Sequence, residues 1–125
     1  ERFSAIRPLL EAPMTLFEKI IAGEVPADVV YRDEFCIAFK DINPQAPTHL
    51  LVVPRKPIVN VAQAGNEDVE VLGRLLLAAR NVARECGLEK AGYRLCINNG
   101  AGAGQTVFHL HCHLLSGREM RWPPG

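Results

Sequence analysis

Apolar residues recur along this chain with two different periods, and the switches between them divide it into elements. Between positions 67 and 86, Val69, Leu72, Leu75, Leu76, Ala79, Val82, Ala83 and Cys86 fall on one side of a 3.6-residue repeat. Asn66 stands where an N-cap belongs, Glu67 and Asp68 occupy the first turn, where a helix dipole favours acids, and Gly87 ends the run. This predicts one long helix. A short one is predicted from Thr15-Leu16-Phe17-Glu18, a hydroxyl and a carboxylate at capping-box spacing, with apolar residues continuing to Ile21 and Gly23 as terminator.

Elsewhere the pattern is that of strands. Val29-Val30-Tyr31 and the run at 35–39 flank Arg32-Asp33-Glu34, which is hairpin spacing. Residues 41–47 read as a loop, because Asn43, Pro44 and Pro47 interrupt any ladder. The nearly continuous apolar run 49–53, bounded by Pro47 and Pro54, predicts a central strand with His49 at its start. Residues 93–97 and 106–115 are two further strands joined by the glycine-rich stretch 98–105. Strands arriving as hairpins, with one long helix between the third and fourth, argue for an α+β antiparallel sheet rather than alternating βαβ units. The helix should cover one face of that sheet.

Composition narrows the picture. With 125 residues and 48% apolar content, a single domain of 14–125 with a sizeable core is expected. Fourteen basic and fourteen acidic residues leave no net positive field, so a nucleic acid polymer is not an expected partner. Cys36, Cys86, Cys96 and Cys112 show no Cys-x-x-Cys spacing, lie in apolar stretches and read as small buried thiols, which favours a reducing compartment. No apolar run reaches the roughly 18–20 residues of a membrane span, so no membrane partner is expected. Residues 1–13 read as an extension: a tag, a leader or a flexible arm. The expected location is cytoplasmic. Arg2, Ser4 and Arg7 raise a mitochondrial or plastid alternative, if the extension is the remnant of a transit peptide, and Glu1 and Glu11 argue against it.

The chemistry concentrates in His109-Leu110-His111-Cys112-His113-Leu114-Leu115. On a strand, residues two apart share a face, so three imidazoles line one side while Leu110, Cys112 and Leu114 point into a core. Such a row supplies nucleophiles, general acids or bases, or metal ligands. His49, the fourth histidine, could orient His111 or buffer its charge if its strand lies beside the triad. Asp41 is either a turn former or a contact for a ribose. Gly100-Ala101-Gly102-Ala103-Gly104 lacks the following helix of a dinucleotide fingerprint. It is either a flexible hairpin loop or a place where backbone N–H groups approach an anion, with Asn98, Gln105 and Thr106 at its rim. A zinc site is the rival reading, since His-x-His on a strand suits two imidazoles on one ion, with His49 or a cysteine adding another ligand.

The triad run resembles the His-φ-His-φ-His-φ-φ signature of the histidine triad superfamily of nucleotide hydrolases and transferases. Three further pieces resemble its Hint branch, the histidine triad nucleotide-binding proteins: the run from Phe39 to His49 (FKDINPQAPTH), Gly104-Gln105-Thr106-Val107-Phe108, and the terminal Trp122-Pro123-Pro124-Gly125. The similarity runs from about Leu16 to the C-terminus. It implies a five-stranded antiparallel sheet with one long and one short helix, and a homodimer in which two sheets form one of ten strands. It also implies hydrolysis of purine nucleoside phosphoramidates, adenylated amines or aminoacyl-adenylates, releasing AMP or GMP, without a cofactor or metal.

By position, the resemblance makes His111 the nucleophile, with His49, His109 and His113 as supporting imidazoles and Thr106 assisting catalysis. It makes Asp41 the ribose contact, and Leu16, Phe17, Ile20, Phe39 and Ile42 the wall of a base pocket. Asn98, Gly104, Gln105 and Thr106 match phosphate-side positions, and Trp122 one that approaches the partner subunit's site. Two departures are small: Thr106 stands where Ser is also common, and Ser116-Gly117 replaces the more usual Gly-Gly.

In the chemistry this permits, a neutral His111 attacks the α-phosphorus, and water then breaks the phosphoimidazole bond. The second nitrogen of His111 should donate to a fixed acceptor such as a backbone carbonyl. Gln105, Thr106, loop amides and a protonated neighbouring histidine are expected to stabilise phosphate charge, and Thr106 or His113 to protonate the departing amine.

Overall fold

The computed structural model describes residues 13–125. The expectation of an extension at 1–13 falls almost wholly outside them. The elements follow in the order α1 (Leu16–Ile21), β1 (Val29–Arg32), β2 (Cys36–Lys40), β3 (Thr48–Pro54), α2 (Val69–Glu85), β4 (Arg94–Cys96) and β5 (Cys112–Ser116). Short 3-10 turns lie at Val61–Gln63, Asn66–Asp68 and Ala101–Ala103. The five strands form one antiparallel sheet in the order β1-β2-β3-β5-β4. No helix among the described residues is long and apolar enough to cross a membrane.

The start of α1 is the predicted capping box. Thr15 Oγ1 accepts from Glu18 N at 3.2 Å and Glu18 Oε1 accepts from Thr15 N at 3.0 Å, satisfying two donors that a helix start leaves unpaired. The start of α2 differs from its prediction. A 3-10 turn occupies Asn66–Asp68, and it is Asp68 whose carboxylate accepts from Gly65 N at 2.8 Å and pairs with Lys56. Asn66 is therefore not the cap.

Strand parity sorts the side chains onto two faces. Cys36 and Ala38 of β2, Leu50 and Val52 of β3, and Cys112 and Leu114 of β5 pack under Leu75, Ala78, Ala79, Val82 and Ala83 of α2. The opposite face holds Ile37, Phe39, Leu51 and Val53 beneath Phe17 of α1. Burial on both sides explains why the β3 sequence reads as one continuous apolar run. The predicted apolar stripe of α2 is only partly internal: Val69 is 74% exposed and Leu76 also faces out. Cys36 and Cys112 are buried, but Cys96 is half-buried and Cys86 exposed, so the reading of all four as core thiols holds for two.

The histidine strand is shorter than predicted. The ladder begins at Cys112, and the lead-in at 106–111 is tied down by single contacts such as Leu110 N to Ile58 O at 2.7 Å. At the other end of β5, Gly117 has φ +97, and a Cβ there would stand 2.8 Å from Pro47 Cβ. Glycine is needed for both the backbone angle and the approach of the 41–47 loop. Gly117→Ala is expected to destabilise the protein by about 1–3 kcal/mol, read as a lower midpoint in denaturant unfolding.

Candidate active site

Register brings His49 and His113 together on the face away from α2, and ring contacts through Phe17 place His109 and His111 beside them. His113 of β5 pairs with Leu51 of β3, and His49 pairs with Leu115, so His49 and His113 are diagonal neighbours on that face. Their rings meet: His49 Nε2 lies 2.9 Å from His113 Nδ1. The expected partner of His49 was His111, and the structure gives it His113 instead. The His111 and His113 rings are tilted by 59° with centroids 4.9 Å apart, and Phe17 meets the His111 ring nearly perpendicular at 4.9 Å.

A cleft of about 320 Å³ opens over this row. Nine of the predicted site residues border it: Leu16, Phe17, Ile20, Phe39, Asp41, Ile42, Thr106, His111 and His113. Its lining is largely apolar, with Ile42 98% exposed, and adds two imidazoles, a hydroxyl, an ammonium and a carboxylate. Val25, Pro26, Ala27, Lys40, Leu51 and Val107 also border it and were missed. For two of these the signal was available: Leu51 lies two residues from His49, and Val107 two from His109.

The other predicted residues lie elsewhere. Gln105 is 2% exposed, and its amide is fully engaged with backbone. Nε2 donates to Val59 O at 2.7 Å and Val107 O at 3.2 Å, while Oε1 accepts from Gly100 N at 2.8 Å. It buckles the glycine loop to the lead-in of β5 and has no donor left for a phosphate. Asn98 Oδ1 faces the Cys96 thiol at 3.5 Å, and Gly104 closes the 3-10 turn in a left-handed conformation. Trp122 is 84% exposed and does not border the histidine cleft.

Backbone groups determine the proton positions on the rings. His109 O can only accept, so His111 Nδ1, 2.7 Å away, must donate, as the chemistry required. Its Nε2 then carries a lone pair, and that atom has no partner among the described residues and opens to the cleft. Gln45 N–H donates to His49 Nδ1 at 2.9 Å, so His49 carries its proton on Nε2 and donates to His113 Nδ1. The proton of His113 is consequently on Nε2. His109 Nε2 donates to Pro54 O at 2.7 Å, leaving Nδ1 as the buried side-chain atom without a partner among the described residues. His109 is an anchored, enclosed ring that holds the acceptor for His111 through its own carbonyl.

Burial favours the uncharged form of these rings. Desolvation lowers the pKa of His111 against the raising effects of the His109 carbonyl and Asp41. It also lowers His109 and His49, for the latter against Asp41 and together with Arg118. His113, desolvated and flanked by His111 and His49, is brought down to about 4. Desolvation and its neighbours thus disfavour a standing imidazolium at His113 and favour its neutral form, with Nε2–H as the donor. Asp41 is a turn former and a cleft residue at once. Its Oδ1 accepts from Asn43 N at 2.8 Å in the turn, and its Oδ2 lies 3.4 Å from His49 Nε2 at the cleft wall. Asp41, His49 and His113 each offer an atom within 4.8 Å of the others, the spacing of a metal-ligand set.

These shifts carry a stability consequence with a definite sign. In the unfolded chain His113 takes up a proton near 6.5, whereas in the folded protein it resists until about 4. Between those values the unfolded state binds more protons, so stability falls as pH drops through the window. Denaturant unfolding followed downward from neutral pH should show this loss, and His113→Gln should reduce it.

The HIT domain family matches residues 22–120. The chain is 55% identical to an uncharacterized HIT-like protein of Synechocystis sp. over 111 residues, 89% of this chain and 96% of that one. It is 50% identical to a 14 kDa zinc-binding protein of Zea mays over 127 residues, covering 100% of this chain and 98% of the relative. Among solved structures, a HIT family hydrolase from Legionella pneumophila superposes with a TM-score of 0.86 at 49% identity, over 90% of this chain and 100% of that one.

Proposed function

The chain belongs to the HIT domain family, and on that footing we propose that it is a hydrolase of purine nucleoside phosphoramidates that works through a nucleotidyl-histidine at His111. The observation that carries this reading is the His111 ring: Nδ1 tied to the His109 carbonyl, Nε2 bare and open to the cleft. An Nε2 lone pair aimed at an α-phosphorus is what in-line displacement of an amine needs. The similarity to a HIT family hydrolase from Legionella pneumophila agrees with it.

In the first step His111 Nε2 bonds to phosphorus and the P–N bond to the amine breaks. The leaving nitrogen takes its proton from solvent water, and His113 Nε2–H and the Thr106 hydroxyl, both lining the cleft, are the hydrogen-bond donors placed to steady the departing amine and the phosphate oxygens. Throughout, Nδ1–H of the charged nucleotidyl-imidazolium keeps its carbonyl acceptor. In the second step water attacks phosphorus and loses a proton to solvent, which balances the one taken up by the amine; the P–Nε2 bond breaks, AMP or GMP leaves and neutral His111 returns. The apolar lining of the cleft, with Leu16, Phe17, Ile20, Phe39 and Ile42, suits a stacked purine, and Asp41 suits the ribose hydroxyls.

The maize relative is called a zinc-binding protein. The hydrogen bonds here do not fit a zinc ion between His49 and His113. Two nitrogens sharing a tetrahedral zinc at about 2.0–2.1 Å stand roughly 3.3 Å apart, whereas these are 2.9 Å apart. His49 would also have to turn an N–H toward the Gln45 N–H. No step is assigned to a metal.

A homodimer belongs to the same reading. β4 is a sheet edge whose outer side has no ladder partner among the described residues, and Val69, Leu76 and Leu77 of α2 present apolar surface outward. Two β4 edges meeting across a two-fold axis would join the sheets into ten strands. Sedimentation should give twice the chain mass, and Leu76→Glu should shift it toward the monomer; a wild-type monomer would count against this assembly.

His111→Ala is expected to lower turnover of adenosine 5′-monophosphoramidate by at least about 1000-fold, while AMP binding, followed calorimetrically, largely survives. A rapid quench into alkali, where a phosphoimidazole bond survives, followed by peptide mapping should locate the adduct on His111 of the wild type. Substantial turnover by the variant would defeat the nucleophile assignment.

A further inference from the structure

Gln45 lies in the exposed 41–47 loop, and its two backbone groups face different partners. Its N–H donates to His49 Nδ1 at 2.9 Å. Its carbonyl accepts from Arg118 Nε, also at 2.9 Å. Arg118 follows Gly117, the residue in tight contact with Pro47, and its NH1 donates to Glu119 O at 3.1 Å. One planar guanidinium therefore spans the end of β5 and the loop.

We propose that Arg118 is a positioning residue for hydrolysis: by holding the Gln45 carbonyl it aims the Gln45 N–H at His49, and so determines which nitrogens of His49 and His113 carry protons. This rests on the reading of His113 as donor to the leaving amine. A neutral imidazole has two tautomers of similar energy, and the partner of one nitrogen selects between them. With the Gln45 N–H in place, His49 must donate from Nε2 and His113 must accept on Nδ1, which leaves Nε2–H of His113 facing the cleft.

Without it the pair can invert. His113 then donates from Nδ1 to His49, and its Nε2 turns a lone pair toward the phosphate beside that of His111. That arrangement repels phosphate oxygens and offers no N–H donor to the departing amine. Arg118 has a second effect of the same sense. Among the charged and titratable groups facing His49, namely Asp41, His113 and Arg118, the guanidinium opposes protonation of the ring.

The test uses the full chain with ring-15N histidine and the variants Arg118→Met and Arg118→Lys. In the wild type without ligand, two-bond 1H–15N spectra should show Nδ1 bare and Nε2 protonated on both His49 and His113. In Arg118→Met the two tautomers should average on both rings, and kcat for adenosine 5′-monophosphoramidate should fall about 10-fold with KM little changed. Arg118→Lys, which keeps a charge and one donor, should recover most of the loss. Unchanged ring signals in Arg118→Met overturn the proposal, as does a fall in kcat with the tautomers intact. A wild type that turns over no phosphoramidate defeats the hydrolase reading instead, while the ring signals still decide the role of Arg118.

Discussion

The 2.7 Å hydrogen bond from His111 Nδ1 to the His109 carbonyl is the contact on which the rest of the site depends. It joins two residues of the same lead-in, so the segment that carries the nucleophile also supplies its proton acceptor. Its geometry survives because the lead-in is pinned from both sides: the His109 ring to Pro54 O, and Leu110 N to Ile58 O. A carbonyl cannot change its role with pH as a carboxylate can. His111 therefore keeps one tautomer over any range in which the ring is neutral.

Burial and backbone direction act together here. Enclosing imidazoles against a sheet makes their charged forms costly, which suits a nucleophile that needs its lone pair. The same enclosure makes an unpaired N–H costly, so each ring needs a partner, and in this fold most of the partners are main-chain groups. Where none exists, at His109 Nδ1, the atom is an enclosed acceptor that neither substrate nor solvent reaches in this conformation. The sheet divides its labour by parity. Its α2 face is filled by aliphatic side chains and two cysteines and carries stability, and its other face carries the cleft, with Phe17 packed over it.

Much of this was legible beforehand, and the misses share a cause. The capping box at Thr15, the hairpin of β1 and β2 and the central β3 all follow from local spacing and stand in the structure; of the row of histidines, His111 and His113 reach the cleft while His109 is enclosed. Leu76 and Val69 fit a helical stripe yet face outward, because a stripe wider than the sheet it covers leaves its margins bare. Gln105 has the chemistry of a phosphate donor. Whether an amide faces a ligand or a backbone depends on which chain segments pass it, and here residues 59 and 100 do.

The order of residues by itself determined which side chains alternate, where helices begin and end, and that three imidazoles would share one face, because those depend on neighbours within a few positions. Tertiary structure decided which imidazole meets which, which nitrogen holds each proton, and which carboxamide is left for a ligand. Those outcomes turn on a Pro54 carbonyl, a Gln45 amide and an Arg118 guanidinium brought in from distant positions. The two main-chain groups among them leave no mark in the identity of any side chain. Only the folded path of the chain places them beside the rings.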